Sequence, residues 1–201
     1  MEIILFISGH SMGGRIALLL SLLRPSIVDQ LIVIDSSPIH TTTERGIENM
    51  ETFLDAISMV DMKYLTSQNM DRMSIKNYID DILRENGIKN ESRRQWLTMN
   101  LISRNVDGKE EYDWNFNLKI LKKCFRNHLT LVPQDALKKD TFKKPSLFIG
   151  SLLSNYIPVD SHDAIRKHFP LASFVYVEGA GHWVHADKPK EFLNIVIPFL
   201  I

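Results

Sequence analysis

Gly9-His10-Ser11-Met12-Gly13-Gly14 is the stretch of sequence that decides the fold. It follows a short apolar run, residues 3–7, which predicts a buried parallel strand, and it leads into Met12–Leu23, whose leucines recur at helical spacing. A strand, a G-x-S-x-G motif and a helix in this order predict a sharp turn that lifts a serine hydroxyl above the edge of a sheet. Small residues two positions before and after the serine leave room for neighbouring backbone. Ser11 is therefore the predicted nucleophile.

Strands and helices alternate on both sides of a long middle block. Gln30–Asp35 predicts a second buried strand, so residues 1–35 form a βαβ unit with parallel pairing. The sheet resumes at residues 145–150, and Ser173–Val177 predicts a last strand. Helices that follow these strands are predicted at residues 158–168 and 189–201. This alternation is typical of a doubly wound α/β layer.

The middle block has a different character. From about residue 41 to residue 140, charged residues alternate with Met, Leu and Ile at helical spacing, which predicts a helical cap inserted after the second strand. The expected organisation is a core sheet with the serine turn at 1–40, the cap at 41–140 and a core sheet with a histidine loop at 141–201. The helices predicted for the cap are 44–60, 74–85, 91–102 and, after a turn at 105–108, a last one that ends near Leu131.

Composition excludes several classes of function. The chain has 201 residues, of which 44% are hydrophobic and 24% charged, as in an ordinary globular domain. Lys+Arg and Asp+Glu are equal at 24 each, so no net charge favours nucleic acid or an anionic membrane. A single cysteine, Cys124, excludes an internal disulfide and a zinc–cysteine site. No apolar run approaches the roughly eighteen residues of a membrane span, and the N-terminus does not resemble a secretory signal or a transit peptide.

Nucleophilic serine chemistry needs a base within hydrogen-bond reach and a carboxylate that orients the base. His182 is the predicted base because it lies in a glycine-rich loop directly after the last strand. His185 is the alternative, but it does not directly follow the glycines of that loop. The N–H of Met12, at the start of the helix, is aimed at any oxyanion that forms on the serine turn. We expect His10, next to Ser11, to pack or to hydrogen-bond beneath the turn.

The acid is the difficult assignment. The usual position follows the strand at 145–150, but the loop there contains no carboxylate, and Ser154 stands where an aspartate is expected. Asp35 ends the preceding strand at the same sheet edge, and it is the favoured acid with Ser154 as a supporting hydroxyl. Four other aspartates, Asp107, Asp113, Asp160 and Asp163, are the alternatives, and their positions in turns or helix starts favour surface roles.

Several stretches together resemble the α/β-hydrolase superfamily, and within it the abhydrolase domain-containing protein 11 family and related small bacterial esterases. They are Gly9–Gly14, Leu22–Pro25, Ile34–Pro38, Trp96–Leu101, Trp114–Leu118 and Gly181–Pro189. The resemblance implies an α/β-hydrolase fold in which Ser11 is the nucleophile, His182 the base and Asp35 the acid beside Ser154. Another acid assigned in animal members falls at the residue after Asn117-Leu118, which here is Lys119 and cannot serve.

The resemblance also implies what the chain acts on and where. It implies hydrolysis of carboxylic or lipid esters without a cofactor or a metal, a mitochondrial setting, and association with the 2-oxoglutarate dehydrogenase complex. A cytoplasmic setting is the alternative, since the chain shows no targeting signal. The Met-rich cap favours medium or long acyl chains.

Two interpretations of function compete. In a complete fold of this kind, several strands and a loop with a second oxyanion donor precede the serine turn, so we expect this chain to be a C-terminal portion that holds the second half of the sheet. The first interpretation is a serine hydrolase that works through Ser11, His182 and Asp35. The second is a truncated, non-catalytic remnant that acts, if at all, as an interaction protein.

Overall fold

A computed structural model describes residues 5–39, 44–68, 70–125, 134–137 and 141–201. In chain order its strands are β1 (Leu5–His10), β2 (Val28–Ile34), β3 (Leu101–Val106), β4 (Lys109–Trp114), β5 (Ser146–Ser151) and β6 (Ala172–Val177). Its helices are α1 (Met12–Leu23), α2 (Glu44–Ser58), α3 (Met62–Ser67), α4 (Arg72–Glu85), α5 (Glu91–Thr98), α6 (Leu118–Cys124), α7 (Gln134–Leu137), α8 (His162–Arg166), α9 (Val184–Asp187) and α10 (Pro189–Leu200), with a 3₁₀ turn at Val159–Ser161.

The chain forms two compact units. Residues 1–43 and 130–201 make up the first, which we call the sheet unit, and residues 44–129 make up the second, which we call the inserted unit. The sheet unit contains a four-stranded sheet in the order β1-β2-β5-β6, with all neighbours parallel. The predicted α/β fold is therefore confirmed.

Both faces of this sheet are covered by helices. One face carries Leu31, Val33 and Phe148 and packs against α1 and α8. The opposite face carries Ile32 and Ile34 and packs against α9 and α10. Because side chains alternate between the faces of a strand, a strand covered on both sides is apolar at every position. This is why β2 and β5 have apolar runs without alternation.

The first strand differs from its prediction in position and burial. It runs from Leu5 to His10, directly into the serine turn, because parallel pairing with β2 continues through Gly9 and His10. Of the predicted strand at 3–7, residues 3 and 4 lie outside the described residues. The strand is not buried: Phe6 is 59% exposed, because β1 lies at an edge of the sheet and has β2 as its one neighbour among the described strands.

The inserted unit contains helices α2–α6 around an apolar core in which Leu65, Ile79 and Leu83 are fully buried. Three of the predicted helices are found, with α2 ending at Ser58 and α4 beginning at Arg72. The last predicted helix is found at Leu118–Cys124, and residues 126–131 of that prediction lie outside the described residues. Asp61, Asp71, Asn90 and Asn117 cap their helices by accepting hydrogen bonds from backbone N–H groups three residues further on.

The predicted helix at 91–102 is wrong at its C-terminal end. Helix α5 stops at Thr98, and Leu101 begins β3, which pairs with β4 as an antiparallel hairpin. Asp107 and Gly108 form the two-residue loop with φ of 50° and 82°. Two successive positive φ values are the requirement of a type I′ turn, and Asp-Gly is a preferred sequence for it. Trp114, at the end of β4, is buried, and its burial favours pairing of β3 with β4 over a further turn of helix α5.

Candidate active site

Ser11 lies at a sharp turn between β1 and α1. Its φ and ψ are 54° and −115°, in a region that few residues other than glycine adopt, and such a backbone costs on the order of 1–3 kcal/mol. The turn is so tight that a Cβ at Gly9 would lie 2.2 Å from the carbonyl oxygen of Gly13. A Cβ at Gly14 would lie 2.8 Å from Cβ of Ser36. A Cβ at Gly13 would meet nothing within 4 Å, so Gly14 rather than Gly13 is the second position that must be small.

Three side chains meet in one line of hydrogen bonds. His182 Nδ1 lies 2.7 Å from Asp35 Oδ2, and His182 Nε2 lies 2.9 Å from Ser11 Oγ. A carboxylate only accepts, so Nδ1 carries the proton and donates it to Asp35, which leaves Nε2 to accept from the Ser11 hydroxyl. This is the tautomer that a general base requires. The structure thus brings together the three residues that the sequence singled out.

Parallel pairing explains why residues so distant in sequence meet. Ser11 follows β1, Asp35 follows β2, Ser154 lies in the loop after β5, and His182 lies in the loop after β6. The carboxyl ends of parallel strands lie at one edge of the sheet, so all four loops project from the same edge. β1 and β6 lie at opposite ends of the strand order, so the loop after β6 brings His182 back across the sheet edge to Asp35 and Ser11.

Asp35 is completely buried, with a φ of 44°. Its Oδ2 accepts both from His182 and from the Ser154 hydroxyl, which lies 2.6 Å away, while Oδ1 has no hydrogen-bond partner within the described part of the chain. Burying a carboxylate opposes folding unless hydrogen bonds replace the lost water, and here His182 and Ser154 donate those bonds. Ser154 therefore contacts the acid and does not replace it.

The loop that carries His182 is held at three backbone groups. The Ser151 hydroxyl donates to the carbonyl of Ala180, Gly181 N–H donates to Asp187 Oδ2 at 2.8 Å, and His10 Nε2 donates to the carbonyl of His182 at 2.8 Å. A loop tied at three successive residues presents its imidazole in one orientation, which lowers the entropy that must be lost before reaction.

His10, the last residue of β1, packs against the loop of His182: its ring centroid lies 4.6 Å from that of His182 and 4.8 Å from that of His185. Burial lowers the pKa of His10 to about 4, and the neighbouring His182 acts in the same direction. His10 is therefore neutral near pH 7, with its proton on Nε2, because that nitrogen faces a carbonyl oxygen. A neutral His10 adds no positive charge beside His182.

Met12 is the first residue of α1, directly after Ser11. The first N–H groups of a helix have no acceptor within the helix, and they lie at the positive end of its dipole. The backbone N–H of Met12 thus has no acceptor within α1 and lies next to Ser11 in the chain. The Met12 side chain is 47% exposed.

The alternatives for base and acid have other surroundings. Among the described contacts, His182 and not His185 joins Ser11 to Asp35. Asp163 pairs with Arg166 in α8, and Asp160 is exposed in the preceding 3₁₀ turn. The remaining candidates, Asp107 and Asp113 in the hairpin, belong to the inserted unit and are exposed, as is Lys119 in α6, which cannot act as an acid.

One aromatic residue of this site was missed by the sequence reasoning. The ring of Tyr156, two residues after Ser154, stacks on His182 with centroids 4.3 Å apart and planes 26° apart. The signal in the sequence is weak: an aromatic residue in a loop at the catalytic edge of the sheet. Only the folded chain shows which ring that aromatic residue faces.

No described part of the chain holds three or more His, Cys, Asp or Glu side chains grouped so that they could bind a metal ion. Across the same residues, none of the helices is both long enough and apolar enough to cross a membrane.

Comparison with known proteins identifies the class that this fold and site define. A family model described as "alpha/beta hydrolase fold" matches residues 5–189. The chain belongs to this family.

Its relatives include proteins named as lipases and esterases. It is 34% identical over 192 residues to the mouse sn-1-specific diacylglycerol lipase ABHD11, covering 96% of this chain and 57% of that protein. It is 29% identical over 192 residues to a putative esterase/lipase of Haemophilus influenzae, covering 96% of this chain and 58% of that one. The chain thus spans somewhat more than half the length of these curated relatives. The predicted resemblance to this group is confirmed.

A solved structure supports the same assignment. An esterase from a marine microorganism superposes with a TM-score of 0.79 at 28% sequence identity, covering 96% of this chain and 68% of the esterase. This likeness extends over the described elements of the chain.

Proposed function

We propose that this chain is a serine hydrolase that cleaves carboxylic or lipid esters through Ser11, His182 and Asp35. One observation carries the proposal: the unbroken line from Ser11 Oγ to His182 Nε2 at 2.9 Å and from His182 Nδ1 to Asp35 Oδ2 at 2.7 Å. Nucleophile, base and orienting acid in this order form the constellation of serine hydrolases on several unrelated folds.

The reaction follows from the positions of the protons. Ser11 Oγ attacks the ester carbonyl carbon while its proton passes to His182 Nε2, and the negative charge that develops on the carbonyl oxygen is met by the N–H of Met12. When the tetrahedral intermediate collapses, the C–O bond to the alcohol breaks, and His182 gives its proton to the leaving oxygen. Asp35 stabilises the imidazolium that exists between these two transfers.

Water completes the cycle. It attacks the acyl group on Ser11 while His182 again takes a proton, and the proton then returns to Ser11 Oγ as the carboxylic acid leaves. Every proton in this sequence moves through the side chains already present at the site. No cofactor is required.

We propose a lipid ester as the substrate class. The relatives named above include a diacylglycerol lipase, and the loop between β5 and Ser154 presents Leu152 and Leu153 with exposed fractions of 61% and 74%. Exposed apolar residues next to a catalytic loop favour contact with an acyl chain. Hydrolysis of p-nitrophenyl esters of increasing chain length tests this proposal: kcat/KM that rises from acetate to decanoate supports it, and a maximum at acetate contradicts it.

The location and the partner complex rest on the family resemblance alone. We propose a mitochondrial location and association with the 2-oxoglutarate dehydrogenase complex. Microscopy of the tagged protein and its recovery with that complex test the two proposals separately.

The decisive experiment is covalent labelling. A fluorophosphonate probe forms a bond from phosphorus to an activated serine oxygen and loses fluoride, so we expect the chain to be labelled and Ser11→Ala to be unlabelled. Ser8→Ala is the matched control, because Ser8 lies three residues earlier, is exposed and has no base among its described contacts. Labelling that persists in Ser11→Ala would contradict the assignment. A folded wild-type chain that resists labelling would favour the non-catalytic interpretation.

A further inference from the structure

The ring of His182 has a neighbour that the mechanism above does not use. Its two nitrogens hydrogen-bond to Asp35 and Ser11, and these bonds fix the directions in which the nitrogens point. Because both bonds lie close to one axis through the ring, the imidazole can still tilt about that axis. Contact with the ring face is what restrains the tilt, and Tyr156 makes such a contact, with centroids 4.3 Å apart and planes 26° apart.

The segment that carries Tyr156 is itself held on both sides. Two residues earlier, the Ser154 hydroxyl donates to Asp35 Oδ2 at 2.6 Å. One residue later, the carbonyl of Ile157 accepts from the Tyr176 hydroxyl at 2.6 Å, and Ile157 is 1% exposed. His162 Nε2 in turn donates to the Tyr176 oxygen at 2.7 Å. The Tyr156 ring is therefore set in place by the fold before any substrate arrives.

Burial keeps the phenol of Tyr156 neutral. Burial raises the pKa of Tyr156 and Asp35 acts in the same direction, while the positive charge of Arg15 partly offsets them. A neutral phenol has an electron-rich ring face, which attracts a cation within about 6 Å of its centroid. His182 becomes such a cation whenever it accepts the Ser11 proton.

We propose that Tyr156 is a positioning residue that acts through His182: its ring face holds the imidazole in line between Asp35 and Ser11 and stabilises the imidazolium. The inference rests on the proposed serine-hydrolase function and deepens it. Because the imidazolium exists only after proton transfer, the contact is stronger in the transition state than in the ground state, so it raises kcat more than it lowers KM.

The test separates the ring face from the hydroxyl. Tyr156→Phe keeps an aromatic face, and Tyr156→Leu removes it at comparable volume. We expect Tyr156→Leu to lower kcat on a short activated ester about tenfold with KM changed by less than about twofold, and Tyr156→Phe to stay within about twofold of the wild type. In Ser11→Ala protein, proton NMR should show the ring-current shift of the His182 Cε1–H lost in Tyr156→Leu and kept in Tyr156→Phe.

Phe174→Leu is the matched control. Phe174 also stacks on a histidine, His162, with centroids 3.7 Å apart, and it lies outside the line of catalytic hydrogen bonds. A tenfold loss confined to Tyr156→Leu supports the proposal. Equal losses in Tyr156→Leu and Phe174→Leu, an equal loss in Tyr156→Phe, or wild-type kcat in Tyr156→Leu would each overturn it.

The NMR readout does not depend on turnover, so it distinguishes failure of this inference from failure of the proposed function. If Ser11→Ala retains wild-type hydrolysis, the proposed function fails, and the kinetic role of Tyr156 fails with it. If Ser11→Ala is inactive but the His182 resonance is the same in both Tyr156 variants, only the inference about Tyr156 is overturned.

Discussion

Each unit of this protein buries a charged side chain that hydrogen-bonds to another ionisable side chain, and the two contacts are built differently. In the inserted unit, Arg94 is 6% exposed and donates to Asp80 Oδ1 at 2.7 Å and to the carbonyls of Ile88 and Lys89 at 3.0 and 2.8 Å. In the sheet unit, Asp35 is fully buried, and of its two oxygens only Oδ2 has described partners.

The difference separates a structural contact from a reactive one. The donors of Arg94 that lie in the interior meet acceptors, which is the condition under which a buried charge stabilises a fold. Asp35 instead commits its partnered oxygen to His182, whose other nitrogen faces Ser11. In the proposed mechanism this charge supports a proton transfer, although burial removes the water that would otherwise solvate it. We therefore expect changes at Arg94 to affect stability and changes at Asp35 to affect turnover.

The largest effect is expected from Asp35→Asn. The amide NH₂ would face His182 Nδ1 and favour the tautomer with the proton on Nε2, which cannot accept from Ser11. The corresponding change in a serine protease costs about four orders of magnitude, so we expect at least a hundredfold lower turnover on a short activated ester, with folding retained. Asn also accepts a positive φ, which position 35 requires.

Asp107→Asn and Asp160→Asn are the controls for that change. Asp107 shares the positive φ of Asp35, with a value of 50°, and Asp160 is an exposed aspartate of the sheet unit. If Asp35→Asn remains within about threefold of the wild type while either control collapses, the acid has been misassigned.

Arg94→Met tests the other side of the comparison. It removes the guanidinium that Asp80, Ile88 and Lys89 face, and leaves the two carbonyls without these donors. Breaking a buried ion pair typically costs about 3–5 kcal/mol, and because Asp80 is 30% exposed and can be partly rehydrated, we expect about 2–3 kcal/mol. Urea unfolding measures it. Turnover below the unfolding transition should stay within about twofold, and a large loss would break the proposed division of roles.

A pH-dependent effect is expected from His10. Its pKa is about 4 in the folded chain against 6.5 unfolded, so between these values the unfolded state binds more protons and stability falls as pH falls. Above about pH 6.5 the group contributes no pH dependence. Allowing for solvent around a partly buried ring, we expect His10 to account for about 2 kcal/mol of the loss from pH 6.5 to pH 4.

His10→Gln isolates this contribution, because a glutamine amide can still donate to the carbonyl of His182 but does not titrate. Free energies of unfolding in urea should therefore decline less steeply in His10→Gln than in the wild type as pH is lowered. Parallel curves would show that His10 is not the group responsible.

The smallest effect is expected from Ser154→Ala. It removes one of the two hydrogen bonds to Asp35 Oδ2 and leaves the bond from His182. Groups that orient a reactive residue through one contact typically contribute about tenfold, and we expect that loss in turnover. Ser161→Ala is the matched control: Ser161 is buried where Ser154 is partly exposed, and its hydroxyl also makes a 2.6 Å hydrogen bond, to the carbonyl of Pro158. Equal losses in the two variants would contradict a specific role for Ser154.

The positions at which sequence reasoning succeeded and failed have a common physical basis. The β1–Ser11–α1 turn was predictable because its apolar run, its small residues and its helix are contiguous in the chain. The turn at 105–108 was also predictable from contiguous residues, but the strands on either side of it were missed because residues 91–102 have helical spacing. The apolar run of β1 by itself predicts a buried strand, whereas the exposure of the strand depends on which neighbours pair with it.

By itself, the sequence determined the alternation of strands and helices, the sharp turn at Ser11 and the glycine loop that presents His182, since backbone preferences and apolar spacing act over a few residues. The tertiary structure decided which carboxylate reaches His182, that Ser154 shares Asp35 with it, and that Tyr156 covers the imidazole. The two contacts of Asp35 join residues 119 and 147 positions apart. No local preference specifies them, because they exist only when parallel strands bring the ends of distant segments to one edge of the sheet.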